Sequence, residues 1–277
     1  MKRYLTILLF LIATTIVFAQ NKEKIIGSKT VKKEQQIIGQ FNVLEVSDNL
    51  EVYLEKGEKP EIKIEADSNL HDIINFDLIK DTLHLSTKKE ATRYKKLIVR
   101  ITYTDNLKKV ISRDNAEINA IQELQLDDIT IQTLGSSKFY MNVNAKNFIL
   151  LSDGKSKVEL NLKSDMAKII LSKEASLKAL INATELDCDI YQKANATIEG
   201  DINNAKIRVD HNSLFTGNKL TIKNAFVLAE SSSKISINAV DCITIEASNK
   251  AEIKIIGNPL IEVKKFTDEA KLIKAIK

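Results

Sequence analysis

The chain is predicted to be all-β: a right-handed parallel β-helix, or β-solenoid, of about 19 residues per rung, with an N-terminal β cap. Three observations predict it. A triplet of a small, a mostly polar and a bulky apolar residue recurs from residue 116 onward: Ala116-Glu117-Ile118, Ser137-Lys138-Phe139, Ser156-Lys157-Val158, Ala175-Ser176-Leu177, Ala196-Thr197-Ile198, Ser213-Leu214-Phe215, Ser233-Lys234-Ile235, Ala251-Glu252-Ile253 and Ala270-Lys271-Leu272. Ahead of the triplets runs a second extended stretch, as at Ile129-Thr130-Ile131, Ile207-Arg208-Val209 and Ile243-Thr244-Ile245. Within both stretches Ile, Val and Thr recur at every second residue, which suits a half-buried strand and not a helix, whose apolar stripe needs steps of three and four.

Taken in order, residues 1–19 read as a secretory signal peptide: Lys2 and Arg3 are its basic start, 5–17 its apolar run and Val17-Phe18-Ala19 its small-residue cleavage site. The run is short for a membrane span of about 20 residues, and no Cys follows the cleavage site to carry a lipid. The mature chain, from Gln20 and with no transmembrane segment, is therefore expected in the periplasm, at the cell surface or outside the cell. Its leader takes two of the 41 basic residues and none of the 37 acidic ones, so 39 against 37 leaves +2. With charges interspersed along the chain, no nucleic acid is expected as a partner.

Residues 20–36 are polar and expected to be a flexible segment. Residues 37–110 form the cap, with strands at 41–46, 50–55, 61–66, 73–79, 82–86 and 97–102, separated by Ser47-Asp48-Asn49, Lys56-Gly57-Glu58-Lys59-Pro60 and Lys80-Asp81. A cap hides strand edges that would otherwise invite aggregation. Residues 111–277 form the solenoid. A rung cannot bury its own apolar face, so rungs must stack, about 4.8 Å apart. The recurrent Ala or Ser is expected at the tight turn, and the Gly, Asn, Asp, Ser and Lys before it tolerate turn geometry. Lys271, Lys274 and Lys277 would protect the last strand edge by charge.

Cys188 and Cys242 fall three rungs apart, about 14 Å by strand spacing, beyond the reach of a disulfide. Both are expected as small buried apolar residues. No catalytic, cofactor or metal residues stand out. His71, His84 and His211 are scattered, no Gly-x-Ser-x-Gly elbow or phosphate-cradling loop occurs, and the calcium-binding Gly-Gly-x-Gly-x-Asp repeat is absent. Asp127-Asp128 are expected on opposite faces of a strand and so are unsuited to a carboxylate pair.

Several stretches carry a family resemblance: Phe41-Asn42-Val43-Leu44-Glu45-Val46, Leu50-Glu51-Val52-Tyr53-Leu54-Glu55-Lys56-Gly57, the run 78–85, the serial small-x-apolar turns and the closing Ile255-Ile256-Gly257-Asn258-Pro259. By these the whole mature chain resembles the putative auto-transporter adhesin, head GIN domain family, a domain of unknown function in secreted proteins of the Bacteroidetes type. The family's Ser-Gly turns are largely replaced here, with Gly kept at Gly135 and Gly154. The resemblance implies adhesion and supplies no catalytic residue.

Two readings follow. The first is a non-catalytic cell-envelope or secreted interaction module, an adhesin or scaffold. The second is a polysaccharide-binding or polysaccharide-degrading protein on surface glycan. Sugar recognition uses exposed aromatic platforms. The chain has no Trp and six Tyr, of which Tyr94 and Tyr103 fall in the cap. Tyr140 and Tyr191 in one groove with carboxylates would favour the second reading, and their dispersal the first.

Overall fold

The computed structural model describes residues 22–120 and 122–275; the expected leader and Lys277 lie outside the described residues. The first part carries β1 (Lys24–Ile26), β2 (Val31–Ile37), β3 (Val43–Val46), β4 (Glu51–Lys56), β5 (Glu61–Asp67), a 3-10 turn over Ser68–Ile73, β6 (Ile74–Ile79), β7 (Thr82–Thr87), β8 (Glu90–Thr92) and β9 (Leu97–Tyr103). After β10 (Lys109–Ser112), β11 (Glu117–Ala120) and β12 (Leu124–Thr133) come the long strands β13 (Lys138–Ser152), β14 (Lys157–Leu171), β15 (Ser176–Ile190), β16 (Asn195–Val209), β17 (Leu214–Ala229) and β18 (Lys234–Ala247). The described chain closes with β19 (Glu252–Ile256), β20 (Leu260–Phe266) and β21 (Lys271–Lys274).

Each long strand pairs in parallel with the next, as in Phe139 with Val158 and Val158 with Leu177. The chain is a β-solenoid. Within a rung the inward and outward alternation slips once, and in β17 twice. In β14, Val158, Leu160, Leu162 and Ser164 are buried, Asp165 and Met166 are both exposed, and Ala167, Ile169 and Leu171 are buried again. Two successive outward residues carry the chain round a corner, with a long segment (157–164) before it and a short one (167–171) after it. The inward residues of both segments merge in one apolar core. The corner also corrects the expectation for Asp127 and Asp128: both stand exposed on it, because a corner suspends the period of two that holds along a strand.

Turns between rungs place the recurrent small residue in a buried column, Ala116, Ser137, Ser156, Ala175, Ala194, Ser213, Ser233 and Ala251. One triplet is corrected by the register. Ala194, not Ala196, occupies the column in β16's rung, and Ala196 aligns with Leu177 and Phe215. Volume is made up sideways: two residues beyond Ala196 stands Ile198, while two beyond Phe215 stands Gly217. A Cβ on Gly217 would lie 2.7 Å from Phe215 Cε1, so the ring takes that space.

The turns are of two kinds. Asp48, Asp114, Gly135, Gly154 and Lys173 have positive φ alone, the mark of a type II′ turn, whereas Gln192-Lys193, His211-Asn212, Ser231-Ser232, Asn249-Lys250 and Asp268-Glu269 have it in pairs, the mark of type I′. The two types differ by a flip of the central peptide, and the hydrogen bonds between turns reverse with it. Glu174 N–H donates back to Gly154 O (2.8 Å), and Lys193 N–H donates forward to His211 O (3.0 Å). Because N–H and C=O of a trans peptide point oppositely, the carbonyls of Lys173 and Gln192 face each other across a seam with no N–H between them.

At the N-terminal end β7, β3 and β10 stack in parallel, as do β9, β4 and β11. Rung geometry thus begins upstream of residue 111. Antiparallel β6 on β7, β5 on β9 and β2 on β5 close that end. Residues within 20–36, expected to be flexible, instead form β1, parallel to β8, and β2, antiparallel to β5. Asp67 holds them. This fully buried carboxylate accepts the backbone N–H groups of Lys29 (2.8 Å), Lys95 (3.1 Å) and Lys96 (3.0 Å). Burial pushes its carboxyl upward, but the donors outweigh burial and hold it below the ordinary carboxylate range. Gly27 passes so close that a Cβ there would sit 2.3 Å from Asp67 Oδ2.

Cys188 is buried and free, and burial pushes its thiol well above the usual range. Cys242 is corrected. It aligns with Asn224 on the outward corner and is partly exposed.

Candidate functional site

Two shallow grooves follow the outward faces of the long segments. The larger, about 900 Å³, is lined by Gln125, Asp127, Asn144, Lys146, Lys163 and Asp165 among others. Its charges answer one another, as in Lys146 to Asp127 (3.2 Å), and it holds no aromatic ring. The second, about 650 Å³, is lined by Tyr53, Asn119, Tyr140, Asn142, Glu159 and Glu199 among others. Of these two grooves the second is the one where aromatic rings, amides and carboxylates meet, which makes it the better candidate for a binding face.

Strand alternation aims each of these side chains. In β4, Val52 and Leu54 are buried and Tyr53 faces out; in β13, Phe139 and Met141 are buried and Tyr140 faces out. The register then stacks Tyr53, Asn119, Tyr140, Glu159 and Lys178 in successive rungs. Tyr53 and Tyr140 stand two rungs apart, about 10 Å. The Asn119 Nδ2 between them is closed to solvent and has no hydrogen-bond partner. The register sets the amide between the two phenol rings, so the three side chains form one ladder.

Tyr53 is further fixed by its neighbours. Its hydroxyl donates to Glu51 Oε1 (2.6 Å), and the Arg100 guanidinium lies 4.9 Å from its ring centre. That hydrogen bond, with burial, raises the phenol above its ordinary range despite the guanidinium. Arg100 is itself held by Glu55 (3.0 Å). Further along, Leu180 is 44% exposed and gives the groove an apolar floor.

The other expected candidates are dispersed: Tyr191 does not share the groove with Tyr140, the outcome expected of the adhesin or scaffold reading, and Tyr53 stands in the groove instead. Tyr191 sits half-buried at a turn, away from this groove; Tyr94 is exposed in the N-terminal part, and Tyr103 is buried there, where loss of water pushes its phenol to about 12. His71, His84 and His211 lie beside separate carboxylates, Glu34, Glu45 and Asp210. Among the described residues no three His, Cys, Asp or Glu side chains gather to hold a metal ion. Tyr53 and Asn119 were missed from the sequence. Tyr53 outward between Val52 and Leu54 is a visible signal, but its alignment with Tyr140 depends on the pairing of β4 with β11.

The family model described as putative auto-transporter adhesin, head GIN domain, matches residues 40–180 and again 152–259. The chain belongs to this family. The head GIN model is laid down twice with an overlap, as expected where one rung resembles the next. Solved structures agree in fold. One described as a putative adhesin from Parabacteroides merdae is 17% identical with a TM-score of 0.63, covering 92% of this chain and 100% of that one. Another putative adhesin, from Parabacteroides distasonis, is 15% identical with a TM-score of 0.65, covering 91% and 100%. A protein from the same organism described as a putative lipid binding protein is 15% identical with a TM-score of 0.63, covering 92% and 100%. No curated protein matches the chain. No helix among the described residues is long and apolar enough to cross a membrane.

Proposed function

We propose that this head GIN chain is a non-catalytic interaction module of the cell envelope or exterior, and that it holds extended glycan along the outward face of its long segments. The observation that carries the reading is the Tyr53, Asn119 and Tyr140 ladder. Its two rings are spaced by about 10 Å, close to the length of a disaccharide, and Tyr53 is already held by Glu51 and Arg100 before any ligand arrives, which limits the entropy lost on binding. Asn142, Asn161, Glu159 and Glu199 beside them offer donors and acceptors to sugar hydroxyls. An aromatic face combined with a few convergent polar groups is the usual make-up of such a site.

The chain without residues 1–19 is to be screened against envelope and host-matrix polysaccharides, with release of reducing ends followed in the same wells. Saturable binding without release is expected, and Tyr140→Ala should weaken it by about twofold to tenfold, since a stacked ring is worth about 0.5–1.5 kcal/mol. Release of reducing ends would overturn the non-catalytic reading. Binding to a matrix protein but to no polysaccharide would keep the adhesin and discard the glycan.

A further inference from the structure

The short segments present a second outward face, and its charges are ordered by rung. In β15 this face carries Asp187 and Asp189; at the same positions of β16 it carries Lys206 and Arg208. The rung before offers Lys168 and Ile170, and the rung after offers Phe226 and Leu228. Among the described residues neither Asp187, Asp189, Lys168 nor Lys206 forms an ion pair, while Arg208 reaches only the edges of Asp210 (3.8 Å) and Glu230 (3.5 Å). Asp187 Oδ1 is buried without a hydrogen-bond partner. Burial and the adjacent Asp187 push Asp189's carboxyl above its ordinary range, a penalty that an opposed cation would relieve.

We infer that the face formed by the short segments of β14 to β17 binds a second copy of this chain about a two-fold axis that runs parallel to the strands, between the rungs of Asp187 and Lys206. Charge complementarity selects both the partner and the axis. A two-fold through that gap carries each rung onto the rung at equal distance on the other side and keeps the position along the strand. Asp187 then meets the second copy at Lys206, and Asp189 meets it at Arg208, with the same two pairs repeated by symmetry. Lys168 comes to face Phe226, a cation over a ring, and Ile170 faces Leu228.

The other natural axis for a face-to-face pair, along the solenoid, would set carboxylates on carboxylates and cations on cations. Like charges so placed cost several kcal/mol. The recognition face on the long segments stays uncovered in this arrangement, so the inference does not rest on the glycan reading.

Sedimentation velocity across a concentration series tests it, using the chain without residues 1–19. Wild type should sediment at twice the chain mass. The variants Asp187→Lys with Asp189→Lys, and Lys206→Asp with Arg208→Asp, should each sediment as monomers, because each gives the four central positions that meet across the axis the same sign. Their equimolar mixture should restore the doubled mass, with one copy of each by native mass spectrometry. The substituted side chains point outward, and recovery on mixing also proves both variants folded. A wild type that stays monomeric at its highest soluble concentration, a dimer that survives in both variants, or a mixture that stays monomeric would each overturn the inference.

Discussion

Ser152 Oγ lies 2.6 Å from Thr133 Oγ1 and 2.7 Å from Ser156 Oγ, and Thr133 Oγ1 also donates to Ser156 (3.1 Å). These buried hydroxyls satisfy one another. Higher in the coil the column of Thr133 and Ser152 becomes Leu171, Ile190, Val209 and Ala229, and the hydroxyls of Ser213 and Ser233 are left buried without partners. Removing a group from a satisfied set leaves its neighbours unpaired, whereas removing an unpaired group relieves a desolvation cost. Ser152→Ala should therefore destabilise by about 1–2 kcal/mol and Ser233→Ala should stabilise by up to about 1 kcal/mol, read from urea unfolding midpoints. Asp67 adds a pH dependence. Its folded pKa lies below the unfolded value of about 3.9, so its stabilisation is present above that value and is lost as pH falls through the folded pKa. Amide exchange should quicken in β1 and β2 below about pH 4, with β13 to β18 still protected. Loss of protection in all strands together would contradict this local role.

At the scale of elements the turns are the informative parts. Type I′ geometry places two side chains in the left-handed region, where Asn followed by Gly fits best. Replacing Gln192-Lys193 by Asn-Gly should stabilise by about 1 kcal/mol, the strain of a non-glycine residue at positive φ. At Lys173-Glu174 only Lys173 has positive φ, so Glu174→Gly should cost about 0.5–1 kcal/mol through the unfolded state. Thermal unfolding of both variants decides between one turn type and two. The sequence shows where turns fall but not which type each adopts, since Asp, Asn, Lys and Ser occur in both halves. Strands at 61–66 and 97–102 were legible from alternation. The β1 and β2 pairings were not, because the carboxylate that holds them is supplied by a residue distant in the chain.

For the whole molecule, periodicity near 19 residues made the coil readable, and a parallel coil fixes which outward residues share a column once one register is known. Tyr140 could be placed outward from β13 alone. Its partnership with Tyr53 could not, because β3 and β4 lie on β10 and β11 while the segment between them in sequence closes the end of the stack. The seam between Lys173 and Gln192 has a consequence for how such a chain can lengthen. A rung copied from the type II′ half fits anywhere in that half, since its turn peptide gives and accepts in the direction its neighbours require. Moved into the type I′ half it would stand backwards and create two further mismatches. Lengthening by a copied rung therefore leaves every turn matched only within each half, and rungs of the two halves share a core but cannot be exchanged across the line where they meet.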